Sequence, residues 1–172
     1  KSLPQPLGCI IPSDPEAHFG NEIIEMTYRN VCDERISPLS MRIGEELTSL
    51  EKMLELMQEG TDILYNLPVK NEKTEELKNL GHFITNCVKT GINAKKWHML
   101  ICKMNVSDTK ELLYKVFDEM EELLNEELEN VYDTIPLVEY DSRLGWEPSM
   151  LYMTDKWHLE WKLRQLDYVQ NY

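Results

Sequence analysis

Glycine is scarce, 7 in 172 residues, too few for a fold assembled from many hairpins. Basic residues are outnumbered, 18 Lys+Arg against 31 Asp+Glu, for a formal charge of −13. That balance argues against a general nucleic-acid binder, which must neutralise phosphates. It argues equally against docking on anionic lipid. No apolar run reaches the ~18 residues of a membrane span, and Lys1–Pro6 has no apolar signal-peptide core. The four cysteines, Cys9, Cys32, Cys87 and Cys102, form no Cys-x-x-Cys pair. Cys87 and Cys102 fall inside apolar helical patterns, where a thiol acts as a small hydrophobe. This usage predicts a reducing, cytoplasmic setting, with a Cys9–Cys32 pairing left open. The chain begins without Met, which reads as a mature form, an excised domain or a trimmed chain.

Catalytic signatures are also lacking. There is no Gly-x-Ser-x-Gly, no glycine-rich phosphate loop and no Cys–His pair in a known local context. No nucleophile, base and oxyanion set can be named, so no catalytic residue is assigned and an enzyme is not expected from this chain alone. Di-metal helical bundles need Glu-x-x-His pairs. The nearest match, Asp155-Lys156-Trp157-His158, stands alone. His98 and Cys102 lie four apart on one helical face but lack a matching second pair. They read as a surface histidine and a core cysteine, and no metal or cofactor is expected.

What the chain does have is helical periodicity. Hydrophobic residues make up 42% and charged residues 28%, as in an ordinary globular protein. Residues 1–38 read as an irregular arm punctuated by Pro4, Pro6, Pro12, Pro15 and Pro38. Residues 39–172 read as one helical bundle domain. Leu47, Leu50, Leu54, Met57, Thr61 and Leu64 recur at three and four, predicting a first helix from Ser37 as cap and Pro38 as first residue to about Tyr65. A second helix opens near Glu72–Thr74 and closes near Met104 or Asn105, with Leu77, Leu80, Ile84, Val88, Ile92, Lys95 and Met99 as its stripe. Gly81 and Gly91 inside it point to close approach by a neighbour. Ser107 reads as the cap of a third helix, with Asp108 in its first turn. Its stripe is Leu113, Val116, Phe117, Met120, Leu123, Leu124, Leu128 and Val131. Pro136 breaks that pattern, leaving 137–150 as an ordered loop. Thr154 and Asp155 open a last helix. Its two faces, Trp157/Trp161/Arg164/Tyr168 and Leu159/Leu163/Leu166/Val169, predict cover on both sides. Short connections between similar helices favour an all-α, antiparallel bundle of three long helices and a shorter C-terminal one.

Two features invite a functional reading. The run Asp118–Glu129 holds seven carboxylates and no base; an apolar stripe passes through it, so a solvated face is the expectation. Residues 139–161 concentrate Trp146, Trp157 and Trp161 with Glu139, Asp141, Arg143, Glu147 and Glu160. Indoles stack on the apolar faces of sugar rings while carboxylates and Arg pair with hydroxyls. A structural plug at the bundle end uses the same residue types.

Asp133–Val138, Asp141–Met150 and Trp157–Gln165, with Phe83–Cys87 and Asn93–Trp97, resemble the C-terminal helical part of large bacterial carbohydrate-active, glycoside-hydrolase-like proteins. In such families the catalytic acids sit on strands of an α/β barrel. This chain has no strand–helix alternation and cannot contain that barrel. The resemblance therefore implies a helical accessory domain. Its Asp141, Arg143, Trp146, Glu147, Trp157 and Trp161 would face a sugar or a neighbouring catalytic domain. The other reading is an acidic protein-interaction module without a carbohydrate role, using its third helix or its Trp157/Trp161 face.

Overall fold

The computed structural model describes residues 38–69, 71–147 and 152–171, with side chains at 43–69, 71–145 and 153–171. The N-terminal arm, Cys9 and Cys32 lie outside the described residues. Among the described residues the protein is all-α, with three long helices packed antiparallel and a shorter fourth. These are α1 (Pro38–Tyr65), α2 (Glu72–Asn105), α3 (Lys110–Tyr140) and α4 (Lys156–Gln170). A 3-10 turn (Ser142–Gly145) and two short antiparallel strands, β1 (Trp146–Glu147) and β2 (Tyr152–Met153), join α3 to α4.

Local chemistry explains the helix ends. α1 begins at Pro38 and stops at Tyr65, before Pro68, whose preceding residue is pushed away from helical geometry. α2 opens with a capping box: the Thr74 N–H donates to Asn71 Oδ1 at 3.0 Å, and the Asn71 N–H donates to Thr74 Oγ1 at 2.9 Å. Glu72 and Glu75 in its first turn and Lys103 in its last complement the helix dipole. The cap of α3 is Thr109, not Ser107: the Leu112 N–H donates to Thr109 Oγ1 at 3.3 Å. Ser107 turns back instead and donates to the Lys103 carbonyl at 2.7 Å. It closes α2, and Asp108 stands outside α3. Asp155 caps α4 by accepting the His158 N–H at 3.0 Å.

Pro136 does not end α3. The helix continues to Tyr140. An internal proline costs about 3 kcal/mol, but Leu137 and Val138 just beyond it are buried, and each such side chain contributes about 1.5–3 kcal/mol. Burial of that last turn outweighs the lost backbone bond.

Each helix packs chiefly on its neighbours in sequence, so α2 lies between α1 and α3, and α4 rests on α3. Phe83, Leu123, Leu124, Val131, Leu137, Val138, Leu159 and Leu166 form the main apolar cluster. Gly81 sits where α1 comes close: a Cβ there would lie 3.2 Å from Thr61 Oγ1 and 3.4 Å from Leu64 Cδ1. Four stripe residues, Leu77, Leu80 and Met99 of α2 and Phe117 of α3, are exposed, as is Cys87. In α2 the inward face is rotated toward Asn86, Thr90 and Asn93. The expectation of cover on both sides of α4 is overturned. Leu159 and Leu166 are buried, whereas Trp157, Trp161 and Tyr168 are exposed.

Candidate functional site

The end of the bundle where α3 passes to α4 is built by local ion pairs. Asp141 follows α3 and grips Arg143, accepting its backbone N–H at 3.0 Å, Nε at 2.8 Å and Nη2 at 2.7 Å. Arg143 Nη2 also donates to Glu76 of α2 at 2.9 Å. The hydrogen bond from Arg143 holds the Asp141 carboxyl below the usual carboxylate range, and the two carboxylates raise the guanidinium. Two of the sequence-predicted site residues are thus brought together, and they tie the turn to α2. The Arg143 side chain stays 71% exposed, so the arrangement holds a charged group at the surface.

Gly145 then allows the return. A Cβ there would lie 3.1 Å from the backbone of Asp155, and the Thr154 N–H donates to the Gly145 carbonyl at 2.7 Å. The backbone of Trp146 pairs with Met153 and that of Glu147 with Tyr152. The side chains of Trp146 and Glu147 lie outside the described residues. Lys156 at the start of α4 donates to Glu139 at the end of α3 at 2.5 Å. Asp155 accepts both the backbone N–H and Nδ1 of His158. Partial burial raises its carboxyl, but these hydrogen bonds prevail and hold it below the usual range.

Trp157 and Trp161 follow on the outer face of α4, 62% and 42% exposed. Trp157 packs edge-on against His158, ring centroids 4.7 Å apart. Neither indole is used as core. The α3–α4 connection therefore offers a restrained turn carrying an exposed Arg143, and α4 after it carries two exposed aromatic rings.

A second constellation escaped the sequence reading. Glu127, inside the acidic run, is fully buried. Thr90 Oγ1 and Asn93 Nδ2 each donate to its carboxylate at 2.7 Å, and Lys162 of α4 forms an ion pair with it. Asn130 Nδ2 donates to the Asn86 carbonyl and to Thr90 Oγ1, both at 3.0 Å. Asn86 Nδ2 donates to Thr134 Oγ1 and to Asp133 Oδ2, both at 3.0 Å. Asp133 in turn meets His82 Nε2 at 2.5 Å, and His82 Nδ1 meets the Tyr65 hydroxyl at 3.1 Å. Polar groups thus connect all four helices, from the buried Glu127–Lys162 pair to the exposed Asp133–His82–Tyr65 end. A buried carboxylate needs such compensation, since burial of an unpaired charge is strongly unfavourable. The signal was periodic: Asn86, Thr90 and Asn93 recur at four and three, and Glu127, Asn130 and Thr134 at three and four. Those are the spacings of an inward face.

The His98/Cys102 pair reverses its expected placement. His98 is buried and Cys102 is half-buried, with Sγ 3.6 Å from Nε2. Burial, assisted by Lys95, holds the His98 imidazole below its usual range. Among the described residues no group of three His, Cys, Asp or Glu side chains is placed to hold a metal ion. No helix among them is long and apolar enough to cross a membrane. Comparison with family models, with curated proteins and with solved structures found no match to this chain.

Proposed function

We propose that this bundle is an accessory domain of a carbohydrate-active, glycoside-hydrolase-like protein. Its Asp141–Trp161 end faces a sugar or a neighbouring catalytic domain. The observation that carries the reading is the exposure of Trp157 and Trp161 on the helix that follows the Arg143 turn. An aromatic face left uncovered at the surface favours stacking on the C–H face of a pyranose or an apolar patch of a partner. The exposed Arg143 guanidinium of the preceding turn adds directional donors for hydroxyl or carboxylate groups. In this role the chain's own groups bind and orient; no bond-breaking step is assigned to them.

Titration of the full chain with a panel of oligosaccharides, followed by tryptophan fluorescence, tests this. Saturable quenching that disappears in Trp157→Ala, with the helical circular dichroism unchanged, is the expected result. A flat response to every sugar, together with undiminished docking of that variant to a supplied catalytic domain, would remove the proposal.

A second reading is supported by the length of the exposed stripe. Trp157, Trp161 and Tyr168 extend it over about 16 Å at 1.5 Å per residue, longer than one sugar ring. A protein-interaction module would use this stripe as a helix-in-groove surface, and the charge of −13 would favour a basic partner. Concentration-dependent association without any sugar response selects this reading.

A further inference from the structure

α1 carries two seams. The inward one, from Leu47 to Leu64, is turned to α2: Thr61 and Leu64 lie against Gly81, and Leu50 against Gly91. The second, Ser49, Met53, Leu56, Gly60 and Ile63, runs along the same helix at spacings of four, three, four and three. That is the a/d period of a helix suited to pack on another helix. It lies roughly a third of a turn around the axis from the first seam. Among the described residues α1 packs chiefly on α2, and the second seam is left open: Met53, Leu56 and Ile63 are 44%, 58% and 66% exposed.

Gly60 adds an independent observation. Glycine weakens a helix interior, and a Cβ at Gly60 would meet nothing within 4 Å. Gly81 makes room for α1, whereas no part of the described chain uses the space that Gly60 leaves. A glycine inside an a/d seam lets a second backbone come close. The charges say what kind of backbone. The side of the seam turned away from α2 carries exposed Glu45, Glu55, Glu59 and Asp62. Lys52 is the one base among them, and it already donates to Glu55 at 2.5 Å. A second copy of the chain would bring these carboxylates against their own kind. Residues 1–37 hold Lys1, Arg29 and Arg35 against six carboxylates, so they also carry the wrong sign.

We propose that the outer seam of α1 docks a basic amphipathic helix of another protein. The partner's apolar residues pack on Met53, Leu56 and Ile63, its backbone passes close over Gly60, and its Lys or Arg side chains face the acidic flank. From Ser49 to Ile63 the seam is about 21 Å long at 1.5 Å per residue, so the partner helix has about 15 residues or more. This surface lies on a different helix from Trp157 and Trp161 and does not depend on their role.

The test is fluorescence anisotropy of a labelled peptide of about three heptads, with Ile at a, Leu at d and Lys at e and g, titrated with the full chain. The same peptide with Glu at e and g, and a scramble of the Lys peptide, serve as controls. Saturable binding in the micromolar range is expected for the Lys peptide alone, weakened about tenfold or more in Leu56→Gln and in Ile63→Gln. Gly60→Gln favours the helix but fills the space above it, and is expected to weaken binding as well. Trp157→Ala leaves the affinity unchanged, and the helical circular dichroism is retained in every variant. Absence of saturation up to about a millimolar overturns the proposal. So does equal binding of either control peptide, an affinity unchanged in Leu56→Gln and Ile63→Gln, or a loss of binding in Trp157→Ala. A benzophenone side chain at position 63 that crosslinks, in the free chain, to residues 1–37 or to a second copy would give the face to that occupant and overturn it too.

Discussion

Trp161 and Lys162 are consecutive residues in opposite environments. The indole is 42% exposed on the outer face of α4, while the lysine is buried against Glu127. This inverts the usual sorting of the two residue types. The polar seam and the aromatic face of the same helix thus answer different demands. The charge pair in the seam is answered within the molecule: the carboxylate of Glu127 accepts from Thr90, Asn93 and Lys162. The aromatic face is exposed along α4. An inward charge belongs to the architecture, and the outward indoles are where the proposed ligand or partner would act.

The comparison can be broken first at the seam. Lys162→Met is expected to destabilise by about 3–5 kcal/mol, because it strands a buried carboxylate. Removing the charge as well, in Glu127→Leu/Lys162→Met, should recover much of that loss. Urea unfolding followed by circular dichroism measures both; equal stability of the single variant and the parent would show that the pair does not hold α4.

A smaller effect comes from His98, buried in α2. Its folded-state pKa is depressed by burial and by Lys95, so the unfolded chain binds the proton more readily. The neutral form therefore contributes full stability above the ordinary value near 6.5. That contribution declines as the pH falls below it, with a slope of at most about 1.4 kcal/mol per pH unit. Comparing His98→Gln with the parent between pH 5 and 7 isolates this slope, which the variant should lack.

The smallest effect on stability belongs to the aromatic face. Trp161→Ala should shift stability by no more than about 0.5 kcal/mol, as exposed substitutions usually do. The same change should abolish the sugar or partner response. A large loss of stability would mean that the indole serves the fold after all.

Much of the architecture was legible in the chain. The start of α1 at Pro38, its end before Pro68, the opening of α2 near Glu72–Thr74 and that of α4 at Thr154–Asp155 are local events. They depend on hydrogen bonds and steric limits within a few residues. The close approach at Gly81 was readable for the same reason, since a missing side chain in a helix marks space needed by a neighbour. At the candidate site, the placement of Asp141 and Arg143 within one turn made their pairing accessible to sequence reasoning, but the link to Glu76 across the bundle was not. The start of α3 was misplaced because Ser107 had two carbonyl or amide partners within reach and took the earlier helix.

By itself, then, the sequence determined which segments coil into helices, roughly where each starts and stops, and that they associate through apolar stripes. Tertiary structure alone decided that α3 runs through Pro136, that Glu127 and Lys162 meet in the interior, that His98 is buried while Cys87 is not, and that the indoles of α4 stay uncovered. The physical reason is one of range. Helix formation and capping are governed by neighbours a turn away, whereas the fate of a polar or aromatic side chain depends on which residues of another helix the packing places opposite it.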